Sequence, residues 1–181
     1  MRYTIFPTDF GHLAVLYRTE GADSKAIRIL LPSTESQLRT RIKSEGPEAT
    51  ESAGDEVSEL IRRIQSFFQG AREPIPMDLV DTTICTDFQL RVLLAERRIP
   101  YGKTASYTWL ANKAHTRGVR AAGNALATNP FPIVVPCHRA VRFDQTIGKY
   151  QGGPEMKRRI LELEGVCFDS HGRVLRDDFL G

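Results

Sequence analysis

The segment Asn129-Pro130-Phe131-Pro132-Ile133-Val134-Val135-Pro136-Cys137-His138-Arg139 holds the most concentrated chemistry in the chain. A cysteine attacks as its thiolate, and a thiol with an ordinary pKa of about 8.5 is mostly protonated at neutral pH, so Cys137 needs a base. His138 stands next to it. Neighbours in an extended strand point to opposite faces, so contact between the two requires a bend or a bridging water. A carboxylate must then orient the imidazole and stabilise its charged form, as in other sites built on a cysteine or serine nucleophile. Glu162 and Glu164 are both candidates, on a helix from about residue 155 with Pro154 in its first turn and Gly165 as its stop, and spacing does not choose between them. The prolines fix backbone angles around the cysteine, which suits holding it in one orientation beside a cleft, and residues 133–135 read as a short buried strand.

Several elements must position that segment. Asp87 is placed to cap a helix carrying Phe88, Val92, Ala95 and Ile99, ended by Pro100-Tyr101-Gly102. Ser106 can cap a short helix with Tyr107, Leu110 and Ala111, and after a break at His115-Thr116 a second helix runs over residues 117–127, which is a helix-turn-helix outline. Ala121, Ala122, Gly123, Ala125 and Ala127 make that second helix thin enough for close approach to another surface, and Arg120 is a guanidinium among small residues that can reach a phosphate or a base gap.

The first half reads differently. Residues 2–6, 11–19 and 25–31 are short apolar runs broken at Asp9-Phe10-Gly11 and Gly21-Ala22-Asp23, which predicts a small antiparallel sheet. Residues 43–56 are rich in Glu, Ser, Gly and Thr and read as a solvated loop. Val57, Leu60, Ile61, Ile64 and Phe68 fall at helical spacing before Gly70, a helix to cover the sheet. Pro74, Pro76 and the polar run to Thr86 read as a linker, so the boundary is set near residue 84: an α/β domain over 1–84 and a mainly α domain over 85–181.

The 181 residues are 41% hydrophobic, enough for one sizeable core or two small ones, and no apolar run approaches the roughly 20 residues that span a bilayer. The N-terminal residues lack a signal-peptide pattern, which predicts a cytoplasmic protein, or a nuclear one in a eukaryote. The three cysteines, Cys85, Cys137 and Cys167, show no CxxC spacing, which argues against a disulfide framework or a four-ligand zinc site. The net charge is +3, with basic residues in excess only after residue 84, a modest footprint for a polyanion.

Pro136-Cys137-His138-Arg139 preceded by Asn129-Pro130 resembles the O6-alkylguanine-DNA alkyltransferase family. The resemblance runs from about Phe88 to Val166 and includes Ile99-Pro100-Tyr101-Gly102, Ser106-Tyr107, Arg120-Ala121-Ala122-Gly123-Asn124-Ala125, Gly148-Lys149-Tyr150 and Leu163-Glu164-Gly165. It implies a ribonuclease H-like first domain and a helix-turn-helix in the second. It implies that Cys137 accepts the alkyl group from O6-alkylguanine, with O4-alkylthymine as a further substrate, that His138 is its water-linked base, and that Glu164 orients His138. By the same resemblance Asn129 ties the cysteine loop to the recognition helix. Arg120 enters the duplex as the base rotates out, with Ala121, Ala122, Gly123 and Asn124 beside it, and Tyr107 assists rotation and donates to guanine N3. Ala140, Tyr150, Gln151 and Gly152 line the base pocket, with Lys157 near it. The expected partner is double-stranded DNA, bound by a monomer without metal or other cofactor.

Physical logic agrees. The O6 atom of a stacked guanine is out of reach of a side chain, so the base must leave the duplex at a cost of a few kcal/mol. A thin helix and one inserted side chain suit the minor groove, where sequence readout is poor and repair needs none. A thioether offers water no activated bond, so each molecule acts once. Gln151 is bulkier than the small residue common there, which is expected to narrow tolerance for large adducts; Thr128 replaces a frequent basic residue and removes a phosphate contact. Lys103 stands where an acidic residue is common. The competing readings are a non-reactive lesion binder, which would lack the cysteine, a thiol hydrolase, which would need an oxyanion hole, and a sequence-specific regulator.

Overall fold

The computed structural model describes residues 1–20 and 23–181, which fold as two units. The expected break at Gly21-Ala22 lies outside the described residues.

The first unit comprises Met1–Ile84 together with Pro130–Val134. Strands β1 (Arg2–Thr8), β2 (Gly11–Glu20) and β3 (Asp23–Ser33) form an antiparallel meander. Leu13 to Tyr17 are all buried, because the central strand β2 is covered on both faces, so its apolar run is continuous rather than alternating. Residues 43–56 are largely exposed, as expected, but they are not one loop. Lys43 to Glu45 end helix α1 (Glu35–Glu45), which begins with a Thr34–Gln37 capping box and buries Leu38 and Ile42 against Ala14, Leu16 and Leu30. Thr50–Glu51 forms β4, which pairs parallel to β1 and gives the sheet order β3-β2-β1-β4. A turn at Asp55–Val57 leads into α2 (Ser58–Phe68), which buries Leu60, Ile64, Phe67 and Phe68 and packs on β1; Gly70, at φ +93°, follows it. The stretch expected as a linker is partly core: Ile75 and Val80 are buried, and Val80 bridges Ala26 of β3. Ile29 of β3 donates its amide to the Pro130 carbonyl at 2.8 Å.

The second unit comprises Cys85–Asn129 and Val135–Gly181. Helix α3 (Asp87–Glu96) is capped by Thr86, whose hydroxyl accepts from the Gln89 amide, so Asp87 is the first helical residue and not the cap. Strand β5 (Ala105–Ser106) leads into α4 (Tyr107–Lys113), with Ser106 accepting from Trp109 as cap, and α5 (Val119–Ala127) follows after a turn. The three helices pack on one another. Strand β6 (Ala140–Val141) pairs parallel with β5, and α6 (Gly153–Leu163) packs behind it, with Val141, Leu161, Val166 and Val174 forming a small core.

Candidate active site

Residues 133–135 do not form the strand expected. Ile133 adopts φ +75°, a left-handed conformation that a β-branched residue takes only under constraint, and the chain turns there. Cys137 therefore opens a single 3₁₀ turn, Cys137–Arg139, in which the successive side chains of Cys137 and His138 need not point to opposite faces. The Asn129 amide nitrogen donates to the Val135 carbonyl at 3.1 Å, and its side chain also hydrogen-bonds the Cys137 sulfur. Burial pushes the Cys137 thiol up to about 12, against that hydrogen bond and the nearby Lys157 charge. The sulfur is a protonated thiol at rest.

His138 is fully buried, with Nε2 2.8 Å from Glu164 Oε1. Burial lowers the imidazole pKa, which keeps the ring neutral; Nε2 then carries the proton donated to Glu164, which leaves Nδ1 as the acceptor nitrogen. Burial alone would raise the Glu164 carboxyl, but His138 and Arg139 outweigh it and hold it down at about 2. Glu164 caps the C-terminus of α6, and Gly165, at φ +87°, ends the helix. Glu162 instead pairs with Arg158 on the surface, which resolves the choice of carboxylate. Gly102, at φ +73°, gives its amide to Glu164 Oε2 at 3.2 Å, and a Cβ there would lie 2.9 Å from the Glu164 carbonyl oxygen, so this position requires glycine.

The sulfur faces a cavity of about 920 Å³ lined by Tyr107, Arg120, Gly123, Asn124, Tyr150 and Gln151, among others. Gln151 Nε2 donates to the carbonyls of Ala127 and Asn129, both at 3.0 Å, and so ties the cavity wall to the end of α5. Burial raises Tyr107 to about 12, so its hydroxyl stays a donor. Its oxygen lies 3.6 Å from the point where a Cβ on Gly148 would sit.

Residues 87–166 match the family described as 6-O-methylguanine DNA methyltransferase, DNA binding domain. The chain is 40% identical over 113 residues to the methylated-DNA–protein-cysteine methyltransferase of Methanothermobacter thermautotrophicus, a match spanning 62% of this chain and 64% of that protein. The O6-methylguanine methyltransferase of Mycobacterium tuberculosis has 31% identity and a TM-score of 0.69, over 90% of this chain and 92% of that one. The chain belongs to the methylated-DNA–protein-cysteine methyltransferase family. The structure of Mycobacterium tuberculosis OGT in complex with DNA superposes on this chain with a TM-score of 0.71 at 28% identity, covering 91% of this chain and 92% of that one.

Asn129 hydrogen-bonds the Cys137 sulfur, the next residue His138 pairs with Glu164, and Arg120, Gly123, Asn124, Tyr107, Tyr150 and Gln151 share the cavity with Cys137. Five expected positions lie elsewhere. Ala122 is fully buried in the second unit and faces its core, while Ala121 is exposed outside the cavity lining, because a helix turns its successive residues about 100° apart. Ala140 is fully buried and Gly152 opens α6, both set back from the lining. Lys157 is completely buried behind the site and donates to the Ala140 carbonyl at 2.5 Å. Reading the sequence missed Arg142 and Lys149, which line the cavity and add positive charge, and the role of Arg139, whose guanidinium forks onto Glu164. The PCHR run contained that arginine but gave no partner for it. Glu96, a buried carboxylate on α3, carried no sequence signal beyond its place on the apolar side of the helix.

Proposed function

We propose that this chain reverses alkyl damage in DNA directly, its Cys137 sulfur taking the methyl group from O6 of a guanine turned out of the duplex. Cys137 sits at the wall of a cavity whose rim holds Arg120 and Tyr107, with a buried base and carboxylate behind it; that placement carries the reading. The volume is within the range of small-molecule sites and accepts a base.

The thiol proton passes through a water to His138 Nδ1, and Glu164 stabilises the imidazolium that forms. The thiolate attacks the methyl carbon, the C–O bond breaks, and its electron pair stays with the guanine, which takes one proton from solvent in exchange for the one that His138 later releases. Tyr107 donates to guanine N3 and so spreads the charge that develops on the leaving base. Asn129 holds the sulfur in line. The S-methyl product has no leaving group that water can displace, so one protein molecule repairs one lesion.

The helix pair α4–α5 is the helix-turn-helix of this reading. Its thin second helix approaches the minor groove and Arg120 fills the vacated stack. The second unit is the DNA-binding and transfer domain. In the first, three antiparallel strands and a fourth parallel to β1 support a ribonuclease H-like frame. Double-stranded DNA carrying O6-alkylguanine is the substrate, and the protein acts as a monomer.

The test is intact-protein mass spectrometry after mixing with excess duplex containing one O6-methylguanine. The expected result is a gain of one methylene, mapped to Cys137 and absent in Cys137→Ala. Lesion binding by folded protein without any mass gain would replace this reading with that of a non-reactive damage binder.

A further inference from the structure

Behind the nucleophile lies a carboxylate that alkyl transfer, as described above, does not use. Glu96, the last residue of α3, is completely buried, and neither of its carboxylate oxygens has a well-formed hydrogen bond to any described residue. Leaving such a group unpaired in the interior costs several kcal/mol if it is charged, and an aliphatic side chain would fill the same space without that cost. Its position calls for a role.

The groups that face it come from every neighbouring element: Lys157 from α6, Arg139 and Cys137 from the cysteine turn, Tyr107 from α4, and the Ala140 amide. Both α3 and α6 pack against that turn. Lys157 is itself fully buried and anchored to the Ala140 carbonyl, so the sulfur has one buried cation and one buried acid behind it. The two act in opposite senses: a charged Lys157 favours the Cys137 thiolate, and a charged Glu96 opposes it.

Resting on the reading of Cys137 as the nucleophile, we propose that Glu96 is a positioning residue for charge, forming with Lys157 a buried pair whose protonation sets how readily Cys137 ionises. With Glu96 neutral, the Lys157 ammonium stabilises the thiolate. When Glu96 loses its proton, its charge cancels that of Lys157 and the sulfur keeps its hydrogen. Burial raises Glu96 to about 8 and lowers Lys157 to about 8, so the pair changes charge as one coupled system just above neutrality. A single-use thiol is thereby restrained from ionising in alkaline surroundings.

The experiment follows the rate of Cys137 modification by iodoacetamide as a function of pH, read by mass spectrometry, in wild type, Glu96→Gln and Glu96→Leu, with methyl transfer from duplex O6-methylguanine measured alongside. A thiol with no titrating neighbour gains about tenfold in thiolate per pH unit below its pKa. Wild type is expected to flatten above about pH 8, and both variants, which lack the Glu96 charge, to exceed it by about tenfold at pH 9, equivalent to one unit of thiol acidity. Agreement between the two variants assigns the effect to lost charge, and thermal melts establish that both fold. If only one variant folds, its profile alone decides. Superimposable profiles in folded protein would overturn the proposal. Failure of the parent reading looks different: wild type would be alkylated by iodoacetamide but never by methylated DNA.

Discussion

Arg139 meets Glu164 as a fork, its Nε 2.9 Å from Oε2 and its Nη2 2.8 Å from Oε1, while the same Oε1 sits 2.8 Å from His138 Nε2. The carboxylate is thus held from two sides, and its orientation toward the imidazole does not depend on histidine alone. Arg139 also donates to the Ile99 carbonyl at 2.7 Å, so the fork is fixed to the segment that follows α3. A pair this enclosed contributes rigidity at the cost of desolvation, and losing one partner leaves the other charged and buried.

Arg139→Ala is accordingly expected to destabilise the protein by about 3–5 kcal/mol, because Glu164 would keep its burial without its cation. Arg139→Lys should recover part of that loss but slow methyl transfer, since an ammonium cannot form the fork. Urea denaturation and single-turnover transfer rates measure the two effects separately. Equal transfer rates for wild type and Arg139→Lys would show that the fork is not needed to orient His138.

Stability should depend on pH through two carboxylates with opposite signs. Glu164 is lowered from 4.5 to about 2, so its contribution is present above the unfolded value and is lost as pH falls toward 2. Glu96 is raised from 4.5 to about 8: the fold binds this proton more tightly, so its contribution is complete below 4.5 and is lost as pH rises to 8. Thermal melts should show Tm declining between about pH 6.5 and 8 in wild type, where the neutral His138 no longer opposes the slope, with a flatter profile in Glu96→Gln. A variant that declines as steeply as wild type would assign the slope to other groups.

Asn129→Ala removes a donor shared by the Val135 carbonyl and the Cys137 sulfur. The expected cost is about 1 kcal/mol of stability, from one of the two hydrogen bonds at the buried Val135 carbonyl, which keeps the Cys137 amide, with slower alkylation because the thiol becomes harder to ionise. Calorimetry and the iodoacetamide rate at fixed pH check both.

Arg120→Ala should slow repair of duplex DNA by about 10- to 100-fold, corresponding to a few kcal/mol of base extrusion that the arginine offsets. Reaction with free O6-methylguanine base, which requires no extrusion, should be unchanged. An equal loss on both substrates would place Arg120 in the pocket chemistry instead.

Gln151 bridges the Ala127 and Asn129 carbonyls across one wall of the cavity. Gln151→Ser removes that bridge and is expected to raise the ratio of benzyl to methyl transfer, with methyl transfer itself little altered. Competition between the two adducts in one reaction reads the ratio directly, and an unchanged ratio would exclude the bridge as a limit on adduct size.

Much of this protein was legible in its residue order. Cys137-His138 between prolines and arginine, the Ser106 cap, the amphipathic run from Val57 to Phe68 and the Gly165 stop are local signals, set by backbone restriction and by helical periodicity. Other features depended on partners distant in sequence. Thr50 and Glu51 form a strand only because the edge of β1 offers them hydrogen bonds, and nothing in their own sequence marks them. Residues 133–135 look like a strand by composition, yet the surrounding fold holds Ile133 in a left-handed turn. The choice of Glu164 over Glu162 turned on which carboxylate faced His138 and which faced solvent. Glu96 and Lys157 are ordinary charged residues in the sequence; only burial beside one sulfur gives their protons a consequence. Local order specified the proposed nucleophile and the helices, whereas the electrostatics of the site arose from packing, because the energy of a charge depends on what excludes water from it.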